Sequence, residues 1–276
     1  MTSSLLRDLF GVSKPIIAMV HLPALPGRPQ HDRAAGLKPI IESAAHDVQV
    51  LQEAGVNGLL FCNEADLPYQ LAVGTAQVAA MAAVIGELKR EISRPYGVNL
   101  VWDPFASLAV ARATGASFIR EVVTGVYESD LGLMRPDFGA IGAYRIDIGA
   151  QSVALFANIT PEFASSVGHR TIEQRARSAV CLGVDALLVS GAITGEPTDL
   201  TQLCQVKEAV PGTAVLANTG VTAETVGAVL DRADGAIVGT ALKAGGITWN
   251  AVDPDRAAQF MTAARRARQS ATEKGR

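Results

Sequence analysis

The sequence is short of most features that mark a special environment. It has only three cysteines, Cys62, Cys181 and Cys204, odd in number, widely spaced and without a Cys-x-x-Cys pair. That excludes a disulfide framework and gives a structural zinc site no ligand spacing to use. Charged residues are only 18% and aromatics 5% of the chain. Mean hydropathy is nevertheless positive, which argues against disorder. The longest apolar stretch, Val78–Gly86, is far short of the roughly 20 residues that cross a bilayer, so no membrane span is expected. The opening Met1-Thr-Ser-Ser-Leu-Leu-Arg-Asp-Leu-Phe10 puts an acid where a signal peptide needs an apolar core, which predicts a cytoplasmic protein. Lys+Arg number 24 against 27 Asp+Glu, a formal charge of −3 with no large basic block, so nucleic acid is not an expected partner. The one basic cluster, Arg265, Arg266 and Arg268, reads as the solvated last turn of a helix, where cations complement the dipole.

What is present is 49% apolar residue in 276, enough for one large core or two modest ones. Short β-branched runs alternate with longer Ala-rich stretches. The expected strands are Pro15–Val20, Gly58–Cys62, Gly97–Val101, Ser117–Arg120, Ser152–Phe156, Ala186–Val189, Ala214–Ala217 and Ala236–Val238. Helical spacing recurs in Ile40–Ala54, Gly74–Ile92, Phe105–Thr114, Asp137–Gly149, Thr171–Leu182, Asp199–Val210, Thr222–Asp231 and Pro254–Arg268. The strands are nearly all apolar, as parallel strands covered on both faces must be. Eight βα units in about 250 residues is the arithmetic of a (β/α)8 TIM barrel. A single domain over residues 1–276 is therefore expected, with a short N-terminal extension and a frayed basic C-terminal tail. The helix-to-strand connections support it: Ala54-Gly-Val-Asn-Gly58, Thr114-Gly-Ala-Ser117 and Leu182-Gly-Val-Asp185 are short and carry a helix-stopping glycine. The strand-to-helix loops are longer, above all Leu22–Pro39 and Val122–Pro136. A doubly wound sheet is the alternative, but no Gly-x-Gly-x-x-Gly follows the first strand.

In such a barrel the loops after the strands carry the site. Polar residues end six of the apolar strands, in Val20-His21-Leu22-Pro23, Cys62-Asn63-Glu64-Ala65-Asp66, Val101-Trp102-Asp103-Pro104, Arg120-Glu121, Ala157-Asn158 and Ser190-Gly191. His21, Glu64, Asp103 and Glu121 are the candidate acid–base groups. Asp103 precedes Pro104 and could equally be a plain helix cap. Arg120 and Glu121 point opposite ways along the strand, so one of them faces the mouth; Glu121 is favoured. Asn158 and Thr194 are candidate substrate contacts, and Trp102 could stack on a sugar or a base or be a core aromatic.

The last two strands end in Asn218-Thr219-Gly220 and Gly239-Thr240-Ala241-Leu242-Lys243. Paired glycines and threonines after strands seven and eight sit where such barrels bind phosphate on backbone N–H groups and a short helix. Asn218, Thr219, Gly220, Gly239 and Thr240 are assigned to it, with Lys243 as a charge-assisted contact or a solvated cation. The alternative is that both glycines only tighten turns.

Other chemistries find less support. None of the six lysines lies at the mouth end of strands one to six, against a Schiff-base aldolase. No Gly-x-Ser-x-Gly elbow occurs, and Cys62 reads as a small buried residue. His21, Glu64, Asp103 and Glu121 leave room for a divalent cation, without His-x-His or Glu-x-x-His spacing to specify one; no cofactor is otherwise expected. Acid–base chemistry on a small phosphorylated metabolite remains, with enolisation of a phosphosugar its simplest form. Closure of the two longest loops would exclude water. Homo-oligomerisation is open, at no interface the sequence locates.

Met19-Val-His-Leu-Pro-Ala-Leu-Pro-Gly27, Thr124-Gly-Val-Tyr127, Thr194-Gly-Glu-Pro197 and Asp234-Gly-Ala-Ile-Val-Gly-Thr-Ala-Leu-Lys243 resemble the BtpA/SgcQ family over nearly the whole chain. The resemblance implies a TIM barrel with a phosphate-binding end, and the chain matches the family at Asn63, Asp66, Asn99, Asp103 and Arg120; of these Asn63, Asp66, Asn99 and Arg120 join the candidate substrate contacts. It also brings an alternative, a barrel retained as an assembly or regulatory factor of the photosystem-linked type. The chain departs from the family at the chemistry end. It has Cys62-Asn-Glu-Ala-Asp66 for Glu-Asn-x-Gly-Asp, Val101-Trp-Asp103 for Arg-Asn-Asp, and Glu121 beside Arg120. An isomerase or lyase with a substrate or step of its own is the expectation.

Overall fold

The computed structural model describes residues 4–274. Helix α1 (Ser4–Phe10) leads into the repeat β1 (Ile16–His21), α2 (Lys38–Ala54), β2 (Gly58–Cys62), α3 (Thr75–Leu88), β3 (Tyr96–Asn99), α4 (Pro104–Thr114) and β4 (Phe118–Glu121). A hairpin, β5 (Tyr127–Ser129) and β6 (Gly132–Met134), precedes α5 (Phe138–Asp147) and β7 (Ala154–Asn158). Then come β8 (Ala164–Ser166), α6 (Ile172–Leu182), β9 (Ala186–Val189), α7 (Leu200–Ala209), β10 (Ala214–Ala217), α8 (Val226–Leu230), β11 (Gly235–Val238) and α9 (Pro254–Lys274). The eight long-range parallel strands close in the order β1-β11-β10-β9-β7-β4-β3-β2, and β6-β5-β8 form a small separate sheet. This is the expected (β/α)8 barrel. The expected N-terminal extension is a helix, α8 is shorter than Thr222–Asp231, and the third strand stops at Asn99 instead of Val101. The tail expected to fray continues α9 as far as Lys274; only its last two residues lie outside the described ones.

The helix stops are those read from glycine: Gly55, Gly115 and Gly183 sit at φ 85°, 84° and 98°, conformations that cost other residues the Cβ clash. The outward rows of the strands, such as Ile16, Ala18 and Val20 or Leu187 and Val189, pack under the helices in the larger core. The inward rows form a second core inside the barrel, with Ile17 and Met19, Leu60, Phe118, Phe156, Leu188, Leu216 and Ile237. Helix α1 closes the lower end by inserting Leu6 and Phe10. Phe10 meets Phe118 edge-on at 5.6 Å, and Phe118 stacks on Phe156 at 4.7 Å. Two strand glycines make room for these rings: a Cβ on Gly58 would stand 2.6 Å from Phe10, and one on Gly97 would stand 2.4 Å from Phe118. A chain poor in aromatics thus fills its lumen with three of them.

Candidate active site

Successive residues of a strand alternate faces, so each inward row can be followed upward from the lumen core. Two residues beyond Phe118 is Arg120, beyond Phe156 is Asn158, beyond Leu188 is Ser190, beyond Leu216 is Asn218, and beyond Ile237 is Gly239. His21 and Asn99 end the rows of β1 and β3 in the same way. The top layer of the lumen is therefore polar on almost every strand.

Parity reverses the expectation for β4. Arg120 faces the lumen, and Glu121 points outward, where its Oε1 accepts from Ser107 Oγ of α4 at 2.6 Å and from Asn99 Nδ2 at 2.7 Å. Burial pushes the Glu121 carboxyl up to about 8, only partly offset by those two hydrogen bonds, and its Oε2 is buried without a partner.

Around Arg120 the groups are tightly organised. Its Nη1 donates to Asn99 Oδ1 at 2.9 Å and its Nη2 pairs with Glu162 at 2.5 Å. Glu162 also accepts from Asn158 at 2.9 Å and from Asn218 at 3.3 Å, and both amides reach Ser190 Oγ, at 3.0 and 2.6 Å. Glu162, four residues past Asn158 in the loop after β7, was not singled out from the sequence; a carboxylate in a strand-to-helix loop was the available signal. Glu64 accepts from Thr194 Oγ1 at 3.2 Å and from Cys62 Sγ at 3.5 Å. Burial and Glu64 hold the Cys62 thiol well above its usual range, an inert group as expected. His21 Nδ1 lies 3.4 Å from Thr248 O, a carbonyl that only accepts, so Nδ1 carries the proton and Nε2 is left as acceptor beside Gly239. Burial, with the Lys243 charge behind it, pulls the imidazole down to about 3 and keeps it neutral.

A cavity of about 270 Å³ runs from this layer to the ends of β10 and β11, lined by His21, Glu64, Arg120, Glu162 and Thr194 at one end and by Asn218–Glu224, Gly239–Ala241 and Arg256 at the other. Gly239 is required by packing, since a Cβ would stand 2.9 Å from the His21 ring; at Gly220 (φ 64°) a Cβ would strike the Glu196–Pro197 backbone at 2.3 Å. Thr219 Oγ1 accepts from Gly191 N at 2.5 Å and Thr240 Oγ1 lies 2.9 Å from Thr248 Oγ1. Lys243 does not reach this end. It is buried in an ion pair with Asp47 of α2 at 2.5 Å, and Asp47 also accepts from Val252 N. The cation at this end of the cavity wall is Arg256, in the first turn of α9, oriented by donating Nε to Ala241 O at 3.0 Å.

Three further candidates hold the framework. Asp103 caps α4 through Ala106 N and ties down Val73 N, each at 3.0 Å. Asp66 gathers Leu25 N, Asn63 Nδ2 and Gln77 Nε2 within 2.9 Å, and Asn63 Oδ1 accepts from Val101 N. These bonds brace the loops after β1, β2 and β3, so the loop after β1 is pinned at its start. His21, Glu64, Asp103 and Glu121 are not gathered around a common point, and among the described residues no three His, Cys, Asp or Glu side chains are grouped to hold a metal ion.

Beside the cavity is a narrow second lobe lined by Tyr69, Trp102 and Phe163 together with Asn99 and Glu121. Trp102 meets Tyr69 at 5.1 Å and Phe163 at 6.4 Å, both edge-on. Trp102 and Phe163 have φ of 66° and 60°, a strain of about 1–3 kcal/mol each that surrounding structure must hold.

A closed parallel barrel with its polar layer at the strand C-termini makes this a TIM-barrel protein. Its fold matches that of a thiamine phosphate pyrophosphorylase from Pyrococcus furiosus at TM-score 0.57 and 17% identity, covering 92% of this chain and 96% of that one. The chain belongs to the BtpA family, whose model matches residues 12–266. It is 45% identical to the sgc region protein SgcQ of Escherichia coli over 94% of this chain and 97% of that one. It is 30% identical to the photosystem I biogenesis protein BtpA of Synechocystis over 94% and 90%. Among the described residues no helix is long and apolar enough to cross a membrane.

Proposed function

We propose that the protein is an enzyme acting by acid–base chemistry on a small phosphorylated sugar or nucleoside-derived compound, as an isomerase or lyase. The observation that carries this reading is the single cavity joining two chemically different ends. The phosphate goes to the Gly220, Gly239–Ala241 and Arg256 end, where a guanidinium and small residues surround open space. The reacting carbons then lie under Glu64 and Arg120. In an isomerisation Glu64 removes the proton from the carbon beside the substrate carbonyl, Arg120 stabilises the enediolate oxyanion, and Glu64 returns the proton to the former carbonyl carbon while the neighbouring hydroxyl proton passes to the former carbonyl oxygen; in a lyase reaction Glu64 takes a hydroxyl proton as the adjacent C–C bond breaks and returns it to the carbon of the released enolate, so that no proton is gained or lost overall. Glu162, fixed by three donors, orients Arg120. Neutral His21 accepts a substrate hydroxyl through Nε2. Two buried polar atoms of this layer, Arg120 Nε and Asn218 Oδ1, have no protein partner, as groups waiting for a ligand do.

A thermal-shift series with inorganic phosphate and with triose, pentose and hexose phosphates tests the reading. At a hundred times Kd a ligand adds about 2.7 kcal/mol of stability, several degrees in Tm. Thr240→Asp, which puts a carboxylate where the phosphate is expected, should abolish that shift while leaving the unliganded Tm within a few degrees. No shift with any phosphorylated compound, or an undiminished shift in Thr240→Asp, refutes the site. The second reading, an assembly factor, draws on the exposed apolar side chains Val126, Leu133, Phe163 and Val167 around the β6-β5-β8 sheet and on the name of the Synechocystis relative.

A further inference from the structure

We propose that the second lobe is a ring-binding subsite, in which Tyr69, Trp102 and Phe163 clasp a planar heteroaromatic group carried by the phosphorylated ligand. The ligand is then nucleotide-like, not a bare sugar phosphate. This rests on the phosphate reading above for the other end of the molecule.

Three observations converge. The lobe adjoins the main cavity, with Glu64, Arg120, Glu162 and Thr194 as their shared wall; a ligand with its phosphate at Arg256 and its middle at Arg120 directs its far end here. Secondly, among the described residues the non-glycine positions with positive φ are Trp102 and Phe163, two rings that line this lobe and meet edge-on at 6.4 Å and 89°. A bulky residue adopts that backbone only when its surroundings hold it there. Both strained residues line the lobe. Perpendicular packing also leaves π faces unstacked, which suits a planar ring whatever its substituents. Thirdly, the lobe offers polar recognition of a ring edge: Glu121 and Arg120 line it, and Glu121 Oε2 and Arg120 Nε are buried without partners.

The lobe as it stands holds about 30 Å³, the room of one water. A ring therefore enters by displacing Phe163, which is 37% exposed, and by parting the 3.2 Å Thr194–Glu64 hydrogen bond.

The sequence contains two tryptophans, and Trp249 is 56% exposed, so Trp249→Phe leaves Trp102 as the only indole. The experiment titrates that variant with inorganic phosphate, ribose 5-phosphate, AMP, UMP and adenosine, following tryptophan emission with calorimetry in parallel. AMP or UMP should change Trp102 emission and bind about tenfold or more tightly than ribose 5-phosphate, the worth of one stacked ring. Phe163→Ala should remove that advantage and leave the ribose 5-phosphate affinity as it was; Phe163→Leu serves if the alanine variant does not fold. Equal affinities for the nucleotides and ribose 5-phosphate, or equal weakening of both by the Phe163 substitutions, overturn the proposal. Failure of the phosphate reading looks different: phosphate and ribose 5-phosphate do not bind, while adenosine still changes Trp102 emission. If adenosine and the nucleotides are silent as well, the ring subsite falls too.

Discussion

At the lower end of the lumen Phe10, Phe118 and Phe156 form a dry plug; two residues further along the same strands, about 7 Å higher, stand Arg120 and Asn158 in a polar network. Strand, register and parity are shared, so the difference belongs to the side chains alone. The plug satisfies itself. Its rings fill one another's space and even displace the side chains of Gly58 and Gly97. The upper layer does not: it buries a guanidinium, carboxylates and three asparagines, and leaves Arg120 Nε and Asn218 Oδ1 without partners. Buried polar groups left unpaired cost stability, and a protein selected only to fold would have continued the apolar rows. The lower end supplies stability and the upper end spends some of it to stay receptive.

The comparison breaks first at the plug. Phe118→Ala removes a fully buried ring from between two others and should cost about 3–5 kcal/mol, read as a lower urea midpoint at unchanged m-value. Because Phe118 lines neither the cavity nor the second lobe, any ligand that raises the wild-type Tm should raise that of the folded variant by a similar amount. A matching loss of ligand binding would show that the two ends are not separable.

A second, smaller effect sharpens the polar side. Glu121 holds its proton up to about pH 8 when folded, because burial disfavours the carboxylate, but releases it near its ordinary value when unfolded. For an acid with a raised folded pKa, stability is intact below the unfolded value and drains as pH rises towards the folded one. Between pH 5 and 8 the wild type should therefore lose about 3–4 kcal/mol through this group, and Glu121→Gln should flatten that slope. A wild-type slope that survives in Glu121→Gln assigns the titration elsewhere.

The alternation of apolar strands and glycine-stopped helices was readable because parallel strands must be apolar on both faces and because an αL stop needs glycine. The parity of β4 was not. Phe118-Ile-Arg-Glu121 is two apolar residues followed by two polar ones, and a period of two has no phase until Phe118 is known to meet Phe10. Lys243 carried the right residue type in the right loop, but its partner Asp47 lies 196 residues away in sequence, and only the closed barrel brings α2 behind it. Arg256 is hidden for the complementary reason: it belongs to helix α9, outside the strand-to-helix loops that mark a barrel's mouth in sequence. Gly220 and Gly239 line the cavity at the mouth, and part of their reason is steric, in the Glu196–Pro197 backbone and the His21 ring.

Asp103 gives the smallest effect and tests whether position at the mouth is enough to make a residue functional. It lies at the C-terminal rim among the groups of the polar layer, yet its carboxylate oxygens are both committed, to Ala106 N at the start of α4 and to Val73 N in the loop before α3. Asp103→Ala should therefore cost about 1 kcal/mol, the worth of a cap, with Asp103→Ser restoring part of it through its hydroxyl. Neither substitution should alter the Tm increment produced by a phosphorylated ligand, since Asp103 lines neither the cavity nor the second lobe. If Asp103→Ala instead keeps its stability and loses the ligand increment, the carboxylate leaves its cap when the cavity fills, and the rim joins the upper layer as part of the site.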